Sequence, residues 1–216
     1  DRGRYWGNVT LVDRSVVKIL QALEESGKAD ETIVVFTSDH GEMVGDHGIL
    51  GKTVLYEESV KVPLLIRVPW LGRHQRRIGG NLGHIDLVPT LLDLMGQVVP
   101  DHLQGQSRVD VLNGQTTLSG NDVFIQWNRS DGHPRPGEGG VNPAMSTPWR
   151  SIVSADRWKL NLSVQDQCEL YDLNADPCEN LNLFDEPEQR GRVQDMADRI
   201  RVWQTQTGDR TPLPEI

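Results

Sequence analysis

Val9, Val12, Val16, Leu20 and Leu23 return at intervals of three and four along the start of the chain, and the pattern stops at Gly27. Such spacing sets the five side chains on one stripe, so the segment is expected to be an amphipathic helix that packs on a core and ends at the glycine. The pattern then changes. "ETIVVFTSD" is β-branched or aromatic from Thr32 to Thr37, and "VPLLIRVP" from Val62 to Val68 is similarly apolar on both faces. Both are expected to be strands covered by helices on each side. Helical spacing resumes in "HIDLVPTLLDLMG", which predicts a helix from Asp86 to Met95. Pro89 falls in its first turn, where a missing N–H costs nothing, and Gly96 ends it. Helix, strand, long polar loop, strand and helix follow one another as in an α/β layered domain.

Beyond about residue 115 the rhythm shortens. "DVFIQW", "WRSIVSA", "WKLNLSV" and "CELYDL" are brief runs separated by turn residues, the pattern of an antiparallel sheet. Between the first two lies "NRSDGHPRPGEGGVNPAMSTP", Asn128 to Pro148, too long and too rich in Gly and Pro for a tight hairpin, and hence a functional or a mobile loop. Val193, Met196, Ile200 and Trp203 then make a last helical stripe that should pack on this sheet. The expected fold class is α/β, with an α/β core in residues 1–115 and a small antiparallel-sheet subdomain with a terminal helix in residues 116–216.

Charge narrows the partners. The 216 residues carry 31 acidic and 22 basic side chains, a net charge of -9, which repels phosphate backbones and acidic membrane surfaces. Neither nucleic acid nor membrane is an expected partner, and no apolar run reaches the about 18 residues that would span a bilayer. The basic cluster "RHQRR", Arg73 to Arg77, sits in a Gly-flanked loop and reads as a solvated turn. Cys168 and Cys178 fit no zinc motif and read as two buried thiols rather than a disulfide. The sequons "NVT", "NRS" and "NLS" add little, since such tripeptides are common by chance and the first lies in a predicted helix.

Chemistry concentrates in "TSDHGEMVGDHGILGK", Thr37 to Lys52. The first strand delivers Asp39 and His40 at its C-terminal end, the edge where open α/β sheets place their ligands. A carboxylate and an imidazole on adjacent residues there can converge on one divalent cation, with Gly41 permitting the bend. The same two residues would serve equally as a turn-capping Asp39 and a locally hydrogen-bonded His40. Lys52 follows a flexible loop able to bring its cation towards the same place, with His47 beside it. Together a metal, a lysine and a histidine make an electrostatic clamp for a tetrahedral oxyanion such as a sulfate or phosphate ester. Taken singly, Lys52 also reads as a solvated surface lysine, His47 as a satisfied loop histidine, and Glu42 and Asp46 as a solvated face.

The long segment "TIVVFTSDHGEMVGDHGILGKTVLYEESVKVPLLIRVP" resembles the second signature region of the sulfatases, in the alkaline-phosphatase superfamily. The likeness continues through "YWGNVTLVDRSVVKILQAL" and "HIDLVPTLLDLMG". It includes "ELYDLNADPCENLNL", which is similar to the family's closing motif at Asp176, Pro177, Glu179, Asn182 and Leu183. The resemblance implies the C-terminal part of an alkaline-phosphatase-like α/β/α sandwich. It also implies a hydrolase of sulfate esters in which Asp39 and His40 ligate a divalent cation, commonly calcium, while Lys52 and His47 contact the sulfate. Phosphonate monoester hydrolases share the Asp-His pair, and for them the metal would be manganese or zinc.

The family's nucleophile is a formylglycine made from Cys or Ser in a "C-x-P-x-R" type motif, and this sequence has none. The first pair of metal-binding aspartates is expected in an N-terminal half as well. The chain therefore reads as a fragment or one part of a split enzyme, inactive alone. It is expected to associate with that missing half, with a complementary chain or with itself through uncovered strand edges and apolar faces. Two other readings stand beside this one. A two-metal phosphoesterase or phosphomutase would take a later ligand from His84, His102 or His133, although a capping or packing role suits His84. A non-catalytic module would keep the fold as a binding surface only.

Overall fold

The computed structural model describes residues 2–72, 74–128 and 147–216. The chain forms two compact units, Asp1–Arg76 and Arg77–Ile216.

In the first unit, helix α1 (Arg2–Glu25) is followed by strand β1 (Val34–Thr37), a long glycine-rich loop, the single turn α2 (Glu57–Val60) and strand β2 (Leu64–Arg67). β1 and β2 pair antiparallel, from Val34 opposite Arg67 to Thr37 opposite Leu64. The stripe expected to pack on a core is instead open: no residue of α1 is buried, and Val9, Val12 and Leu20 remain 42%, 55% and 40% exposed. The reason is size. A helix of 24 residues runs about 36 Å, whereas a four-residue strand covers about 13 Å. The two strands are likewise not covered on both faces, since Phe36 and Leu65 are exposed.

The second unit contains α3 (Leu87–Leu94), α4 (Val109–Asn113), a four-stranded antiparallel sheet and α5 (Arg190–Thr207). The strands β3 (Val123–Trp127), β4 (Trp149–Val153), β5 (Trp158–Leu162) and β6 (Glu169–Asp172) pair in sequence order. Ile152, Leu160, Leu162 and Leu170 pack against Val193, Met196, Ala197 and Ile200 of α5, and Phe124 stacks on Trp203 at 5.4 Å. The predicted stripe of α5 is thus the one that closes the core. Pro89 lies inside the first turn of α3, which ends at Met95 and Gly96.

The buried charged side chains of this unit are paired. Arg150, 1% exposed, grips both carboxylate oxygens of Asp209 at 2.6 and 2.7 Å, and also donates to Asn128 and the Trp149 carbonyl. Lys159 of β5 and Glu179, both fully buried, form an ion pair at 2.8 Å. The closing motif is structural here: the Asp176 carboxylate accepts from the Leu181 N–H, while Asn182 accepts from the Leu170 N–H and donates to the Cys168 carbonyl.

Both cysteines are free, but only Cys168 is buried; Cys178 is exposed on the turn after β6. Burial pushes the Cys168 thiol up, away from reactivity. Asn161 of the "NLS" sequon is fully buried and bonded to Glu169, so it cannot accept a glycan in this fold. Residues 129–146, most of the Gly/Pro-rich stretch, and Arg73 lie outside the described residues. No helix of the described residues is long and apolar enough to cross a membrane.

Candidate active site

β1 ends at Thr37, and the chain turns through Ser38 into Asp39 and His40. The turn is set by Gly41. Its N–H donates to the Ser59 carbonyl at 2.7 Å, and a Cβ there would lie 1.9 Å from the Glu58 carbonyl oxygen. The glycine is therefore required by close backbone approach, which draws the strand end against α2.

Asp39 and His40 are joined by local bonds. The Asp39 carboxylate accepts from the His40 backbone N–H at 2.9 Å, and this bond, ahead of the nearby imidazole and the Ser38 hydroxyl, holds the carboxyl below its ordinary range. The His40 Nδ1 lies 2.8 Å from the Gly41 carbonyl. A carbonyl oxygen only accepts, so Nδ1 carries the hydrogen and the neutral ring keeps its lone pair on Nε2. Nε2 is 3.3 Å from Asp39 Oδ2. Two lone-pair atoms this close call for a shared proton or a shared cation between them. Neighbouring ligands of one divalent ion, each about 2.0–2.5 Å from it, stand at such a separation. A histidine anchored to a backbone carbonyl through its other nitrogen is also the usual orientation of a ligating imidazole. The pair thus fits a divalent cation as two of its ligands. Among the described residues no cluster of three or more His, Cys, Asp or Glu side chains converges on one point.

The loop that follows folds back on itself. Met43, fully buried, anchors it; the Met43 N–H donates to the Gly51 carbonyl at 2.8 Å and the Gly45 N–H to the Ile49 carbonyl at 2.9 Å. This returns the backbone at Lys52 to Met43, close in sequence to Asp39 and His40. Val44, His47 and Thr53 take φ of 50°, 52° and 84°, a left-handed conformation that is costly for a β-branched residue and that concentrates at functional loops. Lys52 is exposed, and its ammonium has no partner among the described residues. His47 is exposed too, its ring stacked on Tyr56 at 3.9 Å and 4°. The structure brings Asp39 to His40 and His47 to Tyr56, and among the described residues no bond joins either pair to the Lys52 side chain.

Two contributors were not visible in the sequence. Tyr56 stands in a segment with no chemical motif of its own. Arg2 donates to the Val44 carbonyl at 3.1 Å and pairs with Asp46 at 2.6 Å, so Asp46 is a tether of the loop rather than part of a solvated face. Of the alternative ligands, His84 is exposed in a 3-10 turn (His84–Asp86) without a side-chain capping bond, His102 is exposed, and His133 lies outside the described residues.

The fold that carries this strand exit is the alkaline-phosphatase-like α/β fold of the solved sulfatase structures. Within that class the chain is a member of the sulfatase family: residues 1–97 match the family model described as Sulfatase. It is 30% identical over 204 residues to Arylsulfatase K of Xenopus laevis, an alignment covering 93% of this chain and 36% of that protein. Among solved structures it is similar to BT4656 in complex with its substrate D-glucosamine-2-N,6-O-disulfate, with a TM-score of 0.74 and 30% identity over 94% of this chain and 40% of that one. The phosphonate monoester hydrolase of Agrobacterium radiobacter gives a TM-score of 0.74 and 30% identity, covering 90% and 39%. The chain spans 36% to 41% of the length of such curated relatives. A divalent metal and a formylglycine go with this family.

Proposed function

We propose that this chain is the electrophilic portion of a sulfuric ester hydrolase. Asp39 and His40 supply two ligands to a divalent cation, calcium by the family's habit, and Lys52 with His47 meets the oxygens of the sulfate group. The observation that carries the reading is the convergence of His40 Nε2 and Asp39 Oδ2 at 3.3 Å on the end of a strand. A cation bound there supplies Lewis-acid polarisation of an ester oxygen. Asp39 remains ionised at neutral pH because the His40 N–H stabilises its carboxylate, and His40 stays oriented through the Gly41 carbonyl. Lys52 brings a compact positive charge to the anion and counters the negative charge that grows on the leaving oxygen.

In this reading residues 1–115 are the C-terminal part of the α/β core and residues 116–216 its small subdomain. The formylglycine and the remaining ligands come from sequence that completes the core, in the same polypeptide or in a complementary chain. The equal structural likeness to a phosphonate monoester hydrolase supports a second reading, in which the ester carries phosphorus and the metal is manganese or zinc.

The test is hydrolysis of an aryl sulfate and of an aryl phosphonate monoester by the natural protein, with Lys52→Ala and Asp39→Asn variants. The sulfate should turn over faster, and Lys52→Ala should lower kcat about 10²- to 10³-fold, as removal of one oxyanion-stabilising group does. Faster phosphonate cleavage would transfer the site to the second reading. Full activity in Lys52→Ala would remove the lysine from it.

A further inference from the structure

The stack of His47 on Tyr56 joins the candidate loop to the entrance of α2, and its geometry is specific. The rings are parallel within 4° and 3.9 Å apart, so the tyrosine covers one face of the imidazole and leaves its edge untouched. Both ring nitrogens of His47 lie on that edge, and neither has a hydrogen-bond partner among the described residues. A ring held by its face is fixed in plane while its N–H groups stay available to an acceptor.

The contact also closes a circuit. His47 sits in a left-handed conformation on the loop, and Tyr56 immediately precedes α2, whose Glu58 and Ser59 backbones receive Gly41. Lys52 lies between the two stacked residues in sequence. The stack therefore fastens the lysine-bearing loop to the same turn that fixes the strand end with Asp39 and His40.

We infer that Tyr56 is a positioning residue for oxyanion binding: its ring aims the His47 edge, and holds the Lys52 loop, towards a tetrahedral sulfate or phosphate group. This rests on the proposed function. Tyr56 itself needs no contact with the anion and acts through its ring face, so phenylalanine should replace it and an aliphatic residue should not.

Inorganic sulfate serves as the probe, titrated into the natural protein at constant ionic strength against chloride and followed by NMR of the histidine ring protons. The His47 signals are assigned by their loss in His47→Ala. In the wild type and in Tyr56→Phe, sulfate should move the His47 signals with the same midpoint. In Tyr56→Leu the midpoint should rise about tenfold. With binding followed through the His40 ring protons, the double variant Tyr56→Leu/His47→Ala should bind sulfate no more weakly than His47→Ala alone, because a residue acting through another is silent once that other is gone.

Equal weakening by Tyr56→Leu in both backgrounds would overturn the positioning role while leaving the anion site standing. Unchanged binding in Tyr56→Leu would overturn it as well. A wild type whose His47 signals ignore sulfate would instead overturn the oxyanion reading itself, and the role of Tyr56 with it. Signals from the rest of the first unit, unchanged across the variants, separate these results from loss of fold.

Discussion

Lys159 and Glu179 face each other at 2.8 Å with no exposed surface on either side chain. Each charge is held in the interior by the other, so the two residues should behave largely as one unit. Replacing either alone, in Lys159→Met or Glu179→Leu, leaves a buried charge without its counterion, which costs about 3–5 kcal/mol. Replacing both with apolar residues of similar volume removes the desolvation penalty along with the attraction. Such exchanges are commonly neutral or stabilising by about 1–4 kcal/mol. The assay is urea unfolding followed by tryptophan fluorescence, with Trp158 next to Lys159 on β5. At a slope of about 1–3 kcal/mol per molar urea, each single variant should lower the midpoint by about 1 M or more, and the double variant should recover most of it. A double variant less stable than either single one would refute the reasoning, because it would mean that the charges do more than neutralise each other.

Asp209, held far below the ordinary carboxylate range chiefly by the Arg150 fork, should stabilise the second unit throughout neutral pH. Its folded-state value is depressed, so the contribution is complete above the unfolded value near about 4 and is lost as the pH falls below it. Accordingly Asp209→Ala should cost about 3–5 kcal/mol at pH 7, with the gap to wild type narrowing in more acid buffer; a constant gap in acid unfolding curves would contradict this. Gly41→Ala should lower the thermal midpoint by at least about 4 °C, since the Glu58 backbone cannot yield to a Cβ 1.9 Å away. With Leu11, Ile19 and Leu65 more than 60% exposed, the 216-residue chain alone should self-associate, and a concentration-independent monomer in sedimentation would count against that.

The parts legible in the sequence were those that short-range periodicity encodes. Val193, Met196, Ile200 and Trp203 announced the packing face of α5 because helix spacing alone selects them. The strands β3 to β6 were marked by turn residues at their ends. What lay beyond reach depended on distance along the chain: Arg150 meets Asp209 across 59 residues, and nothing in either neighbourhood names the partner. The stripe of α1 was legible as a stripe, but its exposure reflects how little sheet stands in the same unit. At the candidate site, Asp39, His40 and Lys52 were visible from residue type and position. The Tyr56 stack and the Arg2 tether were not, because a face-on ring contact and an exposed ion pair leave no periodic trace.

The Arg150 fork has a bearing on the segment that follows α5. Residues 209–216 carry no regular secondary structure, and an irregular stretch of that kind is ordinarily an easy target for proteases. Here Asp209 neutralises a guanidinium on an interior strand, and Thr211 bonds the same group. The segment after α5 thus acts as the peg that lets a fully buried β4 carry an arginine at all.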